Sequence, residues 1–129
     1  MCIRDSNIHH NLVTSLLNDR FGIQLRGGCS CAGTYGHFLL NVDFQLSKEI
    51  TDMIDAGDLS KKPGWIRLSL HPTMTDNELL FITKAIRQTV DNADEWKKDY
   101  CYNKHTNEFN NCNSIEKTSA DYLHWFNFE

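Results

Sequence analysis

Two thiols two positions apart on a glycine-rich segment, Arg26-Gly27-Gly28-Cys29-Ser30-Cys31-Ala32-Gly33, are the residues of this chain best suited to chemistry. A thiolate is a nucleophile, and a nearby guanidinium lowers a thiol's pKa by favouring the anion. Paired glycines free the backbone, and a loop lets a sulfur pass between a donor and an acceptor. The spacing alone is equally compatible with two small loop residues that have no role. A structural zinc needs four ligands. Cys29 and Cys31 supply two and His37 offers a third, but no second pair stands near in sequence, so no metal site is expected.

Arg67 is the second candidate. It alternates with Ile66, Leu68 and Leu70, so it belongs to the opposite face of its strand together with Trp65 and Ser69. An arginine there is either an ordinary solvated residue or a two-pronged clamp for a carboxylate, which the planar guanidinium suits. His71 precedes Pro72 at a strand end and His37 falls in a first helical turn, which fits turn or capping duties better than catalysis. His9-His10 open a helix and are expected to be exposed.

These residues need elements to position them. Ile8, Leu12, Val13, Leu16 and Leu17 have helical spacing from about residue 8 to 20, with Asn7 as a candidate cap and Gly22 as the stop. Residues 22–26 alternate as a short strand that Gly27-Gly28 should break. A loop over 29–36 leads into a helix reaching Val42, and a second helix is expected over 47–56, closed by Gly57. Residues 58–63 read as a charged, exposed connection. Trp65–Leu70 is the clearest strand. Thr75 and Glu78 match a capping box ahead of a long helix with an apolar stripe of Leu79, Ile82, Ile86, Val90 and Ala93. Two strands make no stable sheet alone, so either the tail supplies another or one lies before residue 7.

The order of elements gives an α+β fold: a small, mostly antiparallel sheet with helices packed on one face. Residues 1–6 have no periodicity and no capping logic, and read as an artefactual start. Residues 7–98 form the domain. Residues 99–129 form an aromatic, asparagine-rich tail, expected to dock as short extended pieces with a turn of helix near 120–125.

The chain has 129 residues, the size of one ordinary domain. Lys and Arg total 13 against 17 Asp and Glu, a net charge of −4, which argues against a nucleic-acid binder working by phosphate neutralisation. No apolar run is long enough to span a bilayer, so no membrane partner is expected. Five cysteines show no paired framework, and are read as reduced thiols in a cytoplasmic setting.

The segment from Arg26 to His37, followed by Gly64-Trp65-Ile66-Arg67-Leu68-Ser69-Leu70, resembles the C-terminal domain of class V aminotransferase-fold enzymes. Within them it is most similar to the cysteine desulfurase and selenocysteine lyase group. The resemblance covers about residues 7–109, with both motifs in the family's order and a helix after each. Arg26, Gly28 and Cys31 match the arginine, glycine and catalytic cysteine of the desulfurase loop, and Ala32 the alanine after it. Cys29 and Ser30 stand where that pattern has two histidines. Arg67-Leu68-Ser69 matches the strand arginine that binds the substrate's α-carboxylate.

The resemblance implies a pyridoxal-5′-phosphate (PLP) enzyme that removes sulfur from cysteine through a persulfide on Cys31. Arg67 would hold the amino-acid substrate and Arg26 would assist. It also implies a homodimer, a sulfur-acceptor protein and a large PLP-binding domain that is missing here, since Lys48, Lys61, Lys62 and Lys84 carry no cofactor motif. The fragment alone is therefore not expected to bind PLP. An aminotransferase or other amino-acid lyase of the same superfamily is the alternative chemistry. A non-catalytic interaction domain with a cysteine loop is the alternative class.

Overall fold

The computed structural model describes residues 8–29 and 33–113. They form an α+β arrangement of four α-helices and two separate two-stranded antiparallel sheets.

Helix α1 (His10–Phe21) is the centre of the fold, and touches the long helix α4 (Asp76–Trp96) and both sheets. Its apolar residues come in two staggered pairs, so it presents two buried faces rather than one. Val13 and Leu17 pack with Ile23, Ile82 and Ala85, while Leu12 and Leu16 pack with Tyr100. The helix stops where expected: Gly22 takes the left-handed conformation, with φ 67°, that a side chain resists. Its start is capped by His9, while Asn7 lies outside the described residues.

The capping box of α4 is present. Thr75 Oγ1 accepts from Glu78 N–H at 3.3 Å, and Glu78 Oε2 accepts from Thr75 N–H at 2.7 Å. The buried stripe of α4 differs from the expected one, being Ile82, Ala85, Thr89 and Ala93. Leu79, Ile86 and Val90 lie only half-buried at its edge. Small residues face α1 because α1's own leucines and valine fill the space between the helices. Thr89 is tolerated in that interface because its hydroxyl donates to the Ala85 carbonyl at 2.9 Å.

The first sheet pairs β1 (Arg26–Gly28) with β2 (Trp65–Arg67). Both strands are displaced from expectation. Residues 23–25 point Ile23 and Leu25 into the core but have no partner strand, and Gly27-Gly28 lie within β1 instead of breaking it. The reason is close approach: a Cβ on Gly27 would stand 2.5 Å from Asn11 Oδ1 on α1. β2 ends at Arg67 because β1 offers no further partner. Leu68 still reaches the core, but Leu70 is 57% exposed.

Helix α2 (Gly33–Leu39) stops earlier than expected, since Asn41 turns left-handed at φ 50°. Asp43 then caps α3 (Phe44–Asp55) by accepting from Leu46 N–H at 2.8 Å.

The tail from Tyr100 adds no strand to the first sheet. It folds on itself as a hairpin, β3 (Tyr100–Asn103) with β4 (Glu108–Asn111), so the expected single small sheet is split in two. The hairpin packs on α1, which separates it from β1 and β2. Asn11 Nδ2 donates to the Asn107 carbonyl at 2.6 Å, and Ser15 Oγ to the Phe109 carbonyl at 3.2 Å. Tyr100 O–H donates to Asp19 at 2.8 Å. The connection at 58–63 is fastened to the hairpin rather than free, with Leu59 N–H donating to the Lys104 carbonyl at 2.9 Å.

Cys101 and Cys112 form a disulfide across the hairpin. The reading of all five cysteines as reduced is therefore corrected: pairing in the hairpin brings together two residues eleven positions apart. The helix expected near 120–125 lies outside the described residues. No helix among the described residues is long and apolar enough to cross a membrane.

Candidate substrate-binding site

Antiparallel pairing places Arg26 directly opposite Arg67. Directly opposed residues emerge on one face of a sheet with Cβ atoms about 4.5–5.5 Å apart. Both arginines are exposed, and neither has an ion pair with a described residue. Two cations so placed repel one another unless an anion lies between them. The core keeps the other face: Ile66 packs inward against the α1–α4 cluster, which fixes Arg67 outward.

Trp65 shares the arginines' face and stands opposite Gly28. Gly36, buried on α2, lies against the Trp65 indole so closely that a Cβ there would be 2.9 Å from Cζ3. The bare backbone at position 36 thus lets α2 dock at the edge of the arginine face. His37 holds α2 to α3, with Nδ1 at 3.3 Å from Ser47 Oγ. His71 likewise serves its turn, with Nδ1 2.7 Å from Thr73 Oγ1. No group of three possible metal ligands occurs among the described residues.

Between β1 and α2 runs the cysteine loop. Cys31 lies outside the described residues. Cys29 is half-buried, and its Sγ donates to the Pro63 carbonyl in the connection leading to β2. Burial pushes its thiol pKa up, with nearby Lys62 acting in the opposite direction. Cys29 is tethered and held as a thiol, which is the opposite of what a nucleophile needs.

The described residues do not fit a PLP site. Every described lysine is exposed, and Lys62, the one beside the loop, faces Cys29 and His10 instead of a pocket for an aromatic ring. No step through that cofactor is derived from this chain.

Sequence reasoning missed His9 and His10. They are not exposed: the two rings stack at 4.4 Å, and His9 packs against Tyr102 and Phe109 of the hairpin at 5.5 and 5.3 Å. Adjacent histidines at a helix start carry no spacing signal; the returning hairpin covers His9, and Gly27 and Gly64 stand against His10. Comparison with family models, with curated proteins and with solved structures finds no match.

Proposed function

We propose that the Arg26–Arg67 face binds the α-carboxylate of an amino-acid substrate, and that this chain is the C-terminal domain of a PLP-dependent, class V aminotransferase-like enzyme acting on cysteine. The observation that carries this reading is the placement, directly opposite one another on one sheet face, of two exposed arginines that have no ion pair among the described residues. A carboxylate between them relieves their repulsion and accepts charge-assisted hydrogen bonds from both. The tethering of Cys29 supports Cys31 as the loop thiol that takes up sulfur. PLP, the large domain that holds it, the homodimer and the sulfur acceptor all lie outside this chain. A cytoplasmic address belongs to the same reading, and requires the Cys101–Cys112 bond to persist against a reducing pool.

The test is expression of the chain joined to its upstream coding region. The product should bind PLP and form a persulfide on Cys31 when given L-cysteine. Arg67→Lys, which cannot reproduce the guanidinium fork, should raise KM about ten- to a hundredfold with PLP absorbance unchanged. Cys31→Ala should abolish the persulfide and leave PLP bound. Activity untouched by Cys31→Ala but lost in Arg67→Lys marks an aminotransferase or another amino-acid lyase. An upstream region without a PLP-binding lysine sinks the enzyme reading and leaves an interaction module.

A further inference from the structure

The stacked histidines at the start of α1 occupy a junction. His9 touches both strands of the β3–β4 hairpin. His10 fills the space over Gly64, where a Cβ would fall 2.6 Å from its Cε1. The pair thus connects α1, the hairpin and the approach to β2.

The hydrogen bonding of His9 fixes its protonation. Its Nδ1 accepts the Asn11 backbone N–H at 3.1 Å, which is the N-cap of α1. An accepting Nδ1 carries no proton, so Nε2 carries it, and Nε2 is buried without a partner among the described residues. A second proton would have to go on Nδ1, facing the Asn11 N–H donor to donor. Protonation and capping are therefore mutually exclusive. A cation there would also stand at the positive end of the helix dipole, against a second imidazole.

We propose that His9 and His10 form an acid-operated latch: proton uptake breaks the N-cap of α1 and releases the β3–β4 hairpin from that helix. The hairpin leaves as a unit, because Cys101–Cys112 keeps its strands together. The groups facing the latch favour its neutral state. Lys62, from the connection before β2, adds positive charge beside His10. The hairpin contributes Tyr102 and Phe109, which are uncharged near neutrality, and β1 contributes the side-chain-less Gly27 beside His10. Asp58 acts on Tyr102 and is engaged by Lys104.

Burial holds His9 below its ordinary value of 6.5, and burial together with His9 and Lys62 pushes His10 down to about 4. The folded chain thus binds fewer protons than the unfolded one across this interval. Docking is intact above about pH 6.5 and is lost as pH falls toward 4.

A pH titration of the whole chain by NMR tests this, following the Cε1 signals of both rings and the exchange protection of hairpin amides. Relative to α4 amides, protection of Tyr102 and Phe109 should fall at least about tenfold between about pH 7.5 and 4.5, in step with ring protonation. His9→Asn with His10→Phe keeps an N-cap acceptor and a ring but removes both titrations, and should hold the hairpin docked throughout. Rings that titrate at the ordinary histidine value with the hairpin unmoved overturn the proposal. So does a folded double variant that releases the hairpin as the native chain does. If the variant fails to fold, the native titration alone decides.

Discussion

Arg26 and Arg67 stand opposite one another with no ion pair among the described residues, so their repulsion should be measurable in the chain by itself. Arg26→Gln is expected to raise the urea midpoint slightly at low ionic strength. The gain should vanish at about 0.5 M salt, where screening is nearly complete within a few ångströms. An unchanged midpoint at low salt would mean that the two guanidinium groups have swung apart. Adding a small amino acid to the native chain should produce a similar gain through its carboxylate, and should not do so in the variant. At this scale the sequence was informative about Arg67, because strict alternation from Trp65 to Leu68 sets its face. For Arg26 it offers only what the resemblance implies, an assisting role, and no strand pairing with Arg67. Arg26 was expected just ahead of a glycine break, and only the pairing of Gly27 with Ile66 shows that the glycines are strand residues.

Local chemistry wrote several elements plainly. Gly22 and the Thr75–Glu78 box mark helix ends because backbone conformation and side-chain capping act within a few residues. Extended, docked pieces are legible in the tail's aromatics, but the hairpin's pairing and its disulfide are not, because strands of four residues with only the aromatics Tyr100, Tyr102 and Phe109 turned inward carry too little pattern to set a register. That reversal can be weighed directly. Replacing both Cys101 and Cys112 by serine opens a short loop, and should lower stability by about 2–3 kcal/mol, the usual range for such closures. A reducing agent should shift the native chain's urea midpoint by the same amount. The hairpin should still dock, since Asn11, Ser15 and Asp19 hold it independently of the sulfurs. A variant as stable as the native chain would show that these bonds already fix the hairpin. The stripe of α4 was misread for a different reason. Apolar size marks what can be buried, but at a close helix crossing the small residues Ala85, Thr89 and Ala93 win the contact.

Across the molecule, the apolar surface is unevenly covered. Trp65 is partly sheltered by α2, but Phe38 is 78% and Phe44 88% exposed, with Tyr35, Leu39 and Leu46 on the same two helices also open. Exposed apolar groups clustered in this way promote association. Sedimentation should show mass rising with concentration, and Phe38→Ser with Phe44→Ser should suppress that rise. A native chain that stays monomeric over the full range would show that these side chains tolerate water.

The placement of α1 has a further consequence, which concerns order in time. The bonds that bind it to the hairpin join residues 81 to 96 positions apart. As the chain leaves a ribosome, α1 emerges well before the hairpin that covers one of its faces. Leu12 and Leu16 must wait, uncovered on that face, until Tyr100 has been made. Long-range closure of this kind is slow, and the waiting state is prone to stick to its neighbours. A ribosome that stalled before Tyr100 would release a chain whose first helix had never met half of its core. The apolar residues of α1 thus carry a large exposure to misassembly, although they end up among the most deeply buried.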